Sequence, residues 1–203
     1  MQEQNRSIGT HEVPQIYTAI TGNKDTARSD ITCYTEYDAF KRPVMNAKIY
    51  KILFYKFTDS DIVIWVDGNI FPTVPLETLV KELLGDADLF AFKHFDRDDV
   101  YDEADAAMGL GGEQFPYIEK HKKYLESINF PKHTGLCDCS VLIRRNTKEV
   151  RDFCNAWWAE ICCHSNRDQL SFPVILKQFP NLKTRFLEGN PRNHKYFKYV
   201  PHI

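Results

Sequence analysis

An apolar run of five residues, Ile62–Val66, ends abruptly in the polar triplet Asp67, Gly68 and Asn69. A continuous stretch of β-branched and aromatic residues is typical of a central strand that is buried on both faces. Such strands occur in α/β proteins, where helices cover both sides of a largely parallel sheet. Ligands bind at the carboxyl ends of the strands in these sheets. The triplet is therefore the first candidate for a functional site.

Strand and helix patterns alternate along the rest of the chain, which favours an α/β fold. Further strands are predicted at Gln15–Ile20, Ile31–Tyr34, Leu89–Phe92 and Ser140–Arg144. Helical spacing follows Pro43 and Pro75, and a helix-biased region from Asp98 to Ile128 is broken near Gly109–Gly112. The order of these elements predicts a mostly parallel sheet of about six strands flanked by helices.

Two more helices are predicted in the last third of the chain. Asn146 and Glu149 form a capping-box-like start for the first, and the second follows Asp168 with Pro173 near its first turn. Periodicity assigns no element to residues 184–203, which are basic and aromatic. Because the sequence shows no repeat and no linker, a single domain over residues 1–203 is predicted.

Composition excludes several classes of partner. The chain has 26 Lys and Arg against 28 Asp and Glu, so no global positive field favours nucleic acid or an anionic membrane. No apolar run approaches the roughly 20 residues that span a bilayer, and the first residues lack the apolar stretch of a secretory signal. A cytoplasmic location is therefore expected, and the six cysteines are predicted to be free thiols.

The triplet has residue types that suit a metal and a phosphate. In an extended chain Asp67 and Asn69 project to the same side and offer a carboxylate and an amide oxygen to a hard divalent cation. Such a cation would bridge the oxygens of a diphosphate, and Gly68 lets the ligand approach closely. The alternative is a simple turn, for which the same three residues are typical.

Polar residues elsewhere form two further candidate groups. His94 and Arg97 follow the next predicted strand and are expected in the same crevice, with a loop salt bridge as the alternative for Arg97. Asp168 is a candidate base or sugar-orienting group, with a helix cap as its alternative. In the tail, His194 suits an Mn²⁺ site, and a lysine, Lys195 or Lys198, would neutralise phosphate.

Four blocks of the sequence resemble the glycosyltransferase-like domain of plant and microbial proteins, a nucleotide-sugar transferase of the GT-A type with a Rossmann-like fold. The blocks are Ile64–Ile70, Phe92–Ala104, Cys139–Arg144 and Trp157–Phe172, of which the last contains S-x-R-D-Q. The resemblance extends over about residues 15–200. The chain is also similar to the N-terminal domain of a chlorella-virus capsid glycosyltransferase, which implies the host cytoplasm as its location.

The resemblance implies a metal-dependent transfer of a hexosyl or deoxyhexosyl group from a UDP-sugar to a hydroxyl of a glycan or glycoprotein. It implies Mn²⁺ or Mg²⁺ at Asp67 and Asn69, where Asn replaces the second Asp of the usual DxD motif. In glycogenin-type transferases a C-terminal His binds the metal and a nearby Lys the diphosphate, and His194 with Lys195 or Lys198 is similar. The implied donor site also contains a uridine cradle at Thr18, Ala19, Ile20 and Thr21, and Lys48 at the diphosphate or sugar.

Two other functions remain open at this point. A phosphatase of the haloacid dehalogenase kind also places an Asp after an apolar strand and uses Mg²⁺, but it would require Asp at position 69. A sugar-nucleotide or glycan-binding module would keep the fold without transfer. Hydrolysis of a phosphomonoester and acceptor-dependent release of UDP distinguish these alternatives.

Overall fold

The computed structural model describes residues 13–22, 25–111 and 114–201. Its strands are β1 (Gln15–Ala19), β2 (Thr32–Tyr34), β3 (Ile62–Val66), β4 (Ile70–Pro72), β5 (Leu89–Lys93), β6 (Cys137–Arg145), β7 (Thr184–Leu187), β8 (Asn193–His194) and β9 (Phe197–Tyr199). Its α-helices are α1 (Pro43–Ile52), α2 (Leu76–Leu79), α3 (Val100–Gly109), α4 (Phe115–Ser127), α5 (Lys148–Cys163) and α6 (Asp168–Leu176). A π-helical segment, Val80–Leu84, continues α2, and a 3₁₀ turn, Phe54–Lys56, follows α1.

The main sheet has six strands in the order β2-β1-β3-β6-β5-β7. The β1–β2, β1–β3 and β5–β7 pairs are parallel, whereas β6 runs antiparallel to both of its neighbours. Apolar clusters cover both faces of this sheet, which explains why β3 is apolar at every position. The predicted single α/β domain with a mostly parallel sheet flanked by helices is confirmed.

The sequence predicts Ser140 as the first residue of β6, which is too far along the chain. The strand begins at Cys137, and its pairing with β5 shifts at a bulge, where Ala91 faces Leu142 but Phe92 faces Asp138. Such a bulge interrupts the regular alternation that sequence patterns detect. It lies at the edge of the sheet where β5 ends.

Two details of the predicted helices were also wrong. Thr147, and not Asn146, caps α5, since its side chain accepts a hydrogen bond from the amide of Val150. Pro173 lies inside α6 and not in its first turn, because that helix begins at Asp168.

The tail folds back onto the domain in a second sheet. Its order is β4-β9-β8, and all of its pairs are antiparallel. The amide of Val200 donates to the carbonyl of Asn69 over 3.0 Å, so the tail is joined to the segment that follows β3. The basic, aromatic tail therefore docks onto the domain.

Among the described residues, no helix is both long and apolar enough to cross a membrane.

Candidate active site

A cleft of about 1380 Å³ lies along the edge of the sheet where β1, β3 and β5 end and β6 begins. Among the described residues, seven Lys or Arg side chains line this cleft against four Asp side chains. These are Lys41, Arg42, Lys48, Lys51, Arg97, Arg167 and Arg192, and Asp25, Asp67, Asp138 and Asp168. The local surplus of positive charge contrasts with the net charge of −2 of the chain and favours an anionic ligand.

Ten of the residues predicted from the sequence line this cleft. They are Ala19, Ile20, Thr21, Lys48, Asp67, Gly68, Asn69, His94, Arg97 and Asp168. The carboxyl ends of β1, β3 and β5 meet at one edge of the sheet, and this topology brings most of them together.

Four predicted residues do not line the cleft. Thr18 is fully buried within β1. The ring of His194 packs against Phe92 at 4.9 Å, and its Nδ1 accepts a hydrogen bond from the amide of Tyr196. Lys198 is exposed on β9, and Lys195 is exposed in the turn between β8 and β9. Because β8 pairs with β9 and β9 pairs with β4, this group belongs to the second sheet and not to the strand ends that form the cleft.

The backbone of Asp67 begins a turn, and its side chain lines the cleft. Its carbonyl accepts from the amide of Ile70 over 2.9 Å, so the turn predicted as the alternative is present. Its Oδ1 accepts from Trp65 Nε1 over 2.9 Å and lies 3.5 Å from Lys51 Nζ. The side chain is 39% exposed, and its Oδ2 has no hydrogen-bond partner in the part of the chain that the structure describes. One carboxylate oxygen is therefore available to a ligand.

Asp168 holds two lysines of α1 in what we call the lysine triad. Lys48 Nζ lies 2.5 Å from Asp168 Oδ1, and Lys51 Nζ lies 2.7 Å from Oδ2. The three side chains are only 6–11% exposed. Residues three apart on a helix share a face, so α1 presents both ammonium groups to the same carboxylate. Asp168 does not cap α6, because Arg167 occupies the N-cap position.

The pKa values of the lysine triad are strongly perturbed. Burial alone would raise the pKa of Asp168, but the two lysines hold it well below its ordinary range. Burial would likewise lower the pKa of Lys51, but Asp168 and Asp67 raise it above its usual value. The pKa of Lys48 is lowered, because burial and the neighbouring ammonium of Lys51 outweigh Asp168. Asp168 is ionised and Lys51 is charged at neutral pH.

A second cluster, the arginine triad, is formed by Arg97, Glu103 and Arg167. Glu103 on α3 is fully buried, and its two oxygens accept from Arg97 Nε over 2.7 Å and from Arg167 Nη2 over 2.6 Å. The arginine side chains are 29% and 33% exposed where they line the cleft. The main partner of Arg97 is thus Glu103, while Asp96 lies 3.9 Å away.

His94 directs both of its ring nitrogens towards protein groups. Nδ1 accepts from the amides of Asp96 and Arg97, and Nε2 lies 3.7 Å from Glu103. Burial lowers the pKa of His94. His94 therefore contacts both the loop after β5 and α3 with its two ring nitrogens.

The end of β1 packs closely on its neighbours. Thr21 donates its hydroxyl hydrogen to the carbonyl of Pro43 over 2.6 Å. Gly22 has a φ of +80°, and a Cβ there would lie 2.4 Å from the side chain of Pro43. A Cβ on Gly68 would lie 3.2 Å from the side chain of Ile20, which would have to shift by a few tenths of an ångström to make room for it.

Sequence reasoning missed Lys51, Arg167 and Arg192, which line the cleft, and Glu103, whose carboxylate binds two of its arginines. Two signals for them were present. Lys51 follows Lys48 by one helical turn, and Glu103 and Arg167 fall within the family-like blocks. The contact of Arg192 with Asp138, at 3.4 Å, joins segments 54 residues apart and has no local signature.

A family model, TOD1/MUCI70, glycosyltransferase-like domain, matches residues 32–193. The chain belongs to this family. Membership supports a glycosyltransferase with a sugar donor and a glycan acceptor, and favours this activity over the phosphatase alternative. The match spans both triads and Asp67. A comparison with curated proteins found no significant match.

Proposed function

We propose that this domain transfers a sugar from a UDP-sugar to a hydroxyl of a glycan or glycoprotein, with Mn²⁺ or Mg²⁺ as cofactor. One observation carries the proposal. At the carboxyl edge of the sheet, a partly exposed Asp67 carboxylate stands next to the buried ammonium groups of the lysine triad. A diphosphate is the part of a nucleotide-sugar that needs both a cation and cationic side chains.

The oxygen groups at the triplet fit a divalent cation that is shared with a nucleotide. Asp67 Oδ2 and the amide of Asn69 are hard oxygen ligands, which Mn²⁺ and Mg²⁺ accept. Within the described ranges, no three His, Cys, Asp or Glu side chains gather closely enough to hold a metal by themselves. Asp67 and Asn69 would therefore hold the ion together with diphosphate oxygens. When bound, it would withdraw charge from the departing diphosphate.

The lysine triad supplies fixed positive charge to the same leaving group. Asp168 holds Lys48 and Lys51 in place before substrate arrives, so little reorganisation is needed as negative charge develops. The pKa of Lys51 is raised by its two carboxylate neighbours, so it stays protonated during the reaction. Both lysines thereby lower the barrier to departure of UDP.

This arrangement favours a positioning role for Asp168 over that of a general base. A base must have a free oxygen and a pKa near the working pH. Both oxygens of Asp168 are bound by ammonium groups, and these hold its pKa well below the usual range. The end of β1 has a separate role in this proposal, because Ala19, Ile20 and Thr21 form the cradle for the uridine.

Calorimetric titration of UDP, with Mn²⁺ and with EDTA, tests the donor site. We expect Asp67→Ala to abolish the Mn²⁺-dependent part of UDP binding while the melting temperature changes little, because the side chain is 39% exposed. Asp152→Ala is the matched control, since Asp152 pairs only with the exposed Lys148. Unchanged UDP affinity in Asp67→Ala would refute the donor site.

Transfer itself requires a second measurement. Release of free UDP from a UDP-sugar should rise when a glycan acceptor is added, and it should be lower in Asp67→Ala than in the unaltered protein. Binding of UDP-sugar without any such release would favour the non-catalytic module. Hydrolysis of p-nitrophenyl phosphate by the unaltered protein would support the phosphatase alternative.

A further inference from the structure

A second cleft lies beside the first one and shares a wall with it. Its volume is about 880 Å³, within the range of small-molecule sites, and it is bounded by β5, the start of β6, α6 and β7. His94, Phe95 and Arg97 line both clefts. A molecule in the second cleft would therefore lie next to whatever occupies the first.

The second cleft has an apolar floor and a balanced rim. Phe172, Pro173, Leu176, Phe186 and Leu136 form the floor. On the rim, Lys93 pairs with Glu188 over 2.7 Å, and His133 pairs with Asp98 over 3.0 Å. Among the described residues of the whole lining, three Lys or Arg side chains (Lys93, Arg97 and Lys177) are matched by three Asp or Glu side chains (Asp96, Asp98 and Glu188), so the second cleft has no surplus of positive charge, unlike the first cleft. It offers donors and acceptors to a neutral, hydroxyl-rich ligand.

Phe95 stands at the boundary as an exposed aromatic platform. Phe95 is 48% exposed, whereas phenylalanine is one of the residues most often buried in proteins. The ring stacks on that of His94, with centroids 5.2 Å apart and planes at 8°. His94 is in turn fixed by the two amides that donate to its Nδ1. Phe95 is thus held in one orientation before any ligand binds.

We propose that the second cleft binds the acceptor, and that the acceptor is an uncharged oligosaccharide with one ring packed on Phe95. A sugar ring has an apolar C–H face and a polar edge of hydroxyl groups. The C–H face suits an aromatic ring, and the hydroxyl edge suits the paired charges of the rim. The shared wall then sets the acceptor beside the donor. This inference rests on the proposed function, to which it adds the place where the acceptor binds.

Saturation-transfer NMR with maltotriose, cellotriose and mannotriose tests the acceptor site. We expect at least one trisaccharide to bind, and Phe95→Ala to weaken that binding about fivefold, as expected for the loss of one aromatic contact. Phe95→Tyr should retain it. Phe115→Ala is the matched control, because Phe115 is 44% exposed on α4 and lines neither cleft.

The possible results separate this inference from the proposed function. If none of the trisaccharides binds, if Phe95→Ala binds as well as the unaltered protein, or if UDP displaces the trisaccharide, the second cleft is not the acceptor site. UDP titrated into the unaltered protein is an independent readout of the donor site. If a trisaccharide binds at Phe95 but UDP does not bind, the glycan site stands and the proposal of a UDP-sugar donor is refuted.

Discussion

Replacing Asp168 with Asn is the sharpest perturbation that the lysine triad offers. The substitution keeps the shape of the side chain but leaves the buried Lys48 without its carboxylate. Removing one partner of a buried ion pair costs about 3–5 kcal/mol. Lys51 keeps Asp67 at 3.5 Å, so we expect the lower end of this range, about 3 kcal/mol. For a chain of this size, that loss lowers the melting temperature by about 6–12 °C.

Urea denaturation and scanning calorimetry measure this loss. Asp152→Asn is the control, because its i,i+4 pair with Lys148 is exposed and is worth only about 0.3–0.5 kcal/mol. Adding Lys48→Met to Asp168→Asn should recover part of the stability, since it removes the unpaired ammonium. A loss below about 1 kcal/mol for Asp168→Asn would refute the argument that this carboxylate anchors both lysines.

The pH dependence of the same variant has a defined sign. A carboxyl group with a lowered pKa in the folded state contributes stability above its unfolded pKa of about 3.9, and this is lost as the pH falls through the folded value. The pKa of Asp168 is lowered by its two lysines. The Asp168 carboxylate should therefore contribute its full stability from about pH 8 to pH 5, so the difference in stability between the unaltered protein and Asp168→Asn should not shrink as the pH falls across this interval. A difference that shrinks within this interval would contradict the assigned charge state.

Two more substitutions test other parts of the structure. Gly22→Ala should lower the free energy of unfolding by about 2 kcal/mol, because φ is +80° and the new Cβ would meet Pro43, whereas Gly109→Ala, with open space around it, should not. His194→Ala should reduce stability by about 1 kcal/mol through lost packing on Phe92 and leave UDP affinity in Mn²⁺ unchanged, as calorimetry will measure. A loss of UDP affinity that occurs only with Mn²⁺ would instead indicate that His194 binds the cation.

The elements that the sequence predicts well are those with a local cause. The apolar run of β3 and the helical spacing after Pro43 are both visible in single windows, and both elements are present. The tail strands β7, β8 and β9 are two to four residues long, and they depend on remote partners such as β4 and β5. No local pattern identifies a strand of that length.

The same distinction applies to the candidate site. Asp67 and Asp168 could be predicted, because Asp67 follows the end of an apolar strand and Asp168 lies within a family-like block. Their roles could not be predicted, because the partners of Asp168 lie 117 and 120 residues away on α1. A carboxylate in a sequence predicts equally well a base, a cap or an ion pair. Only the contacts with Lys48 and Lys51 distinguish these roles.

The two triads are joined by a single peptide bond, since Arg167 belongs to one and Asp168 to the other. A ligand that contacts Arg167 would lie next to Asp168, the residue that anchors Lys48 and Lys51. Any coupling between ligands at the two triads is reciprocal, so a donor that tightens binding of its neighbour is tightened by it to the same degree. The affinity for a ligand at one triad should therefore be measured both with and without a ligand at the other, and any difference should have the same size in both directions.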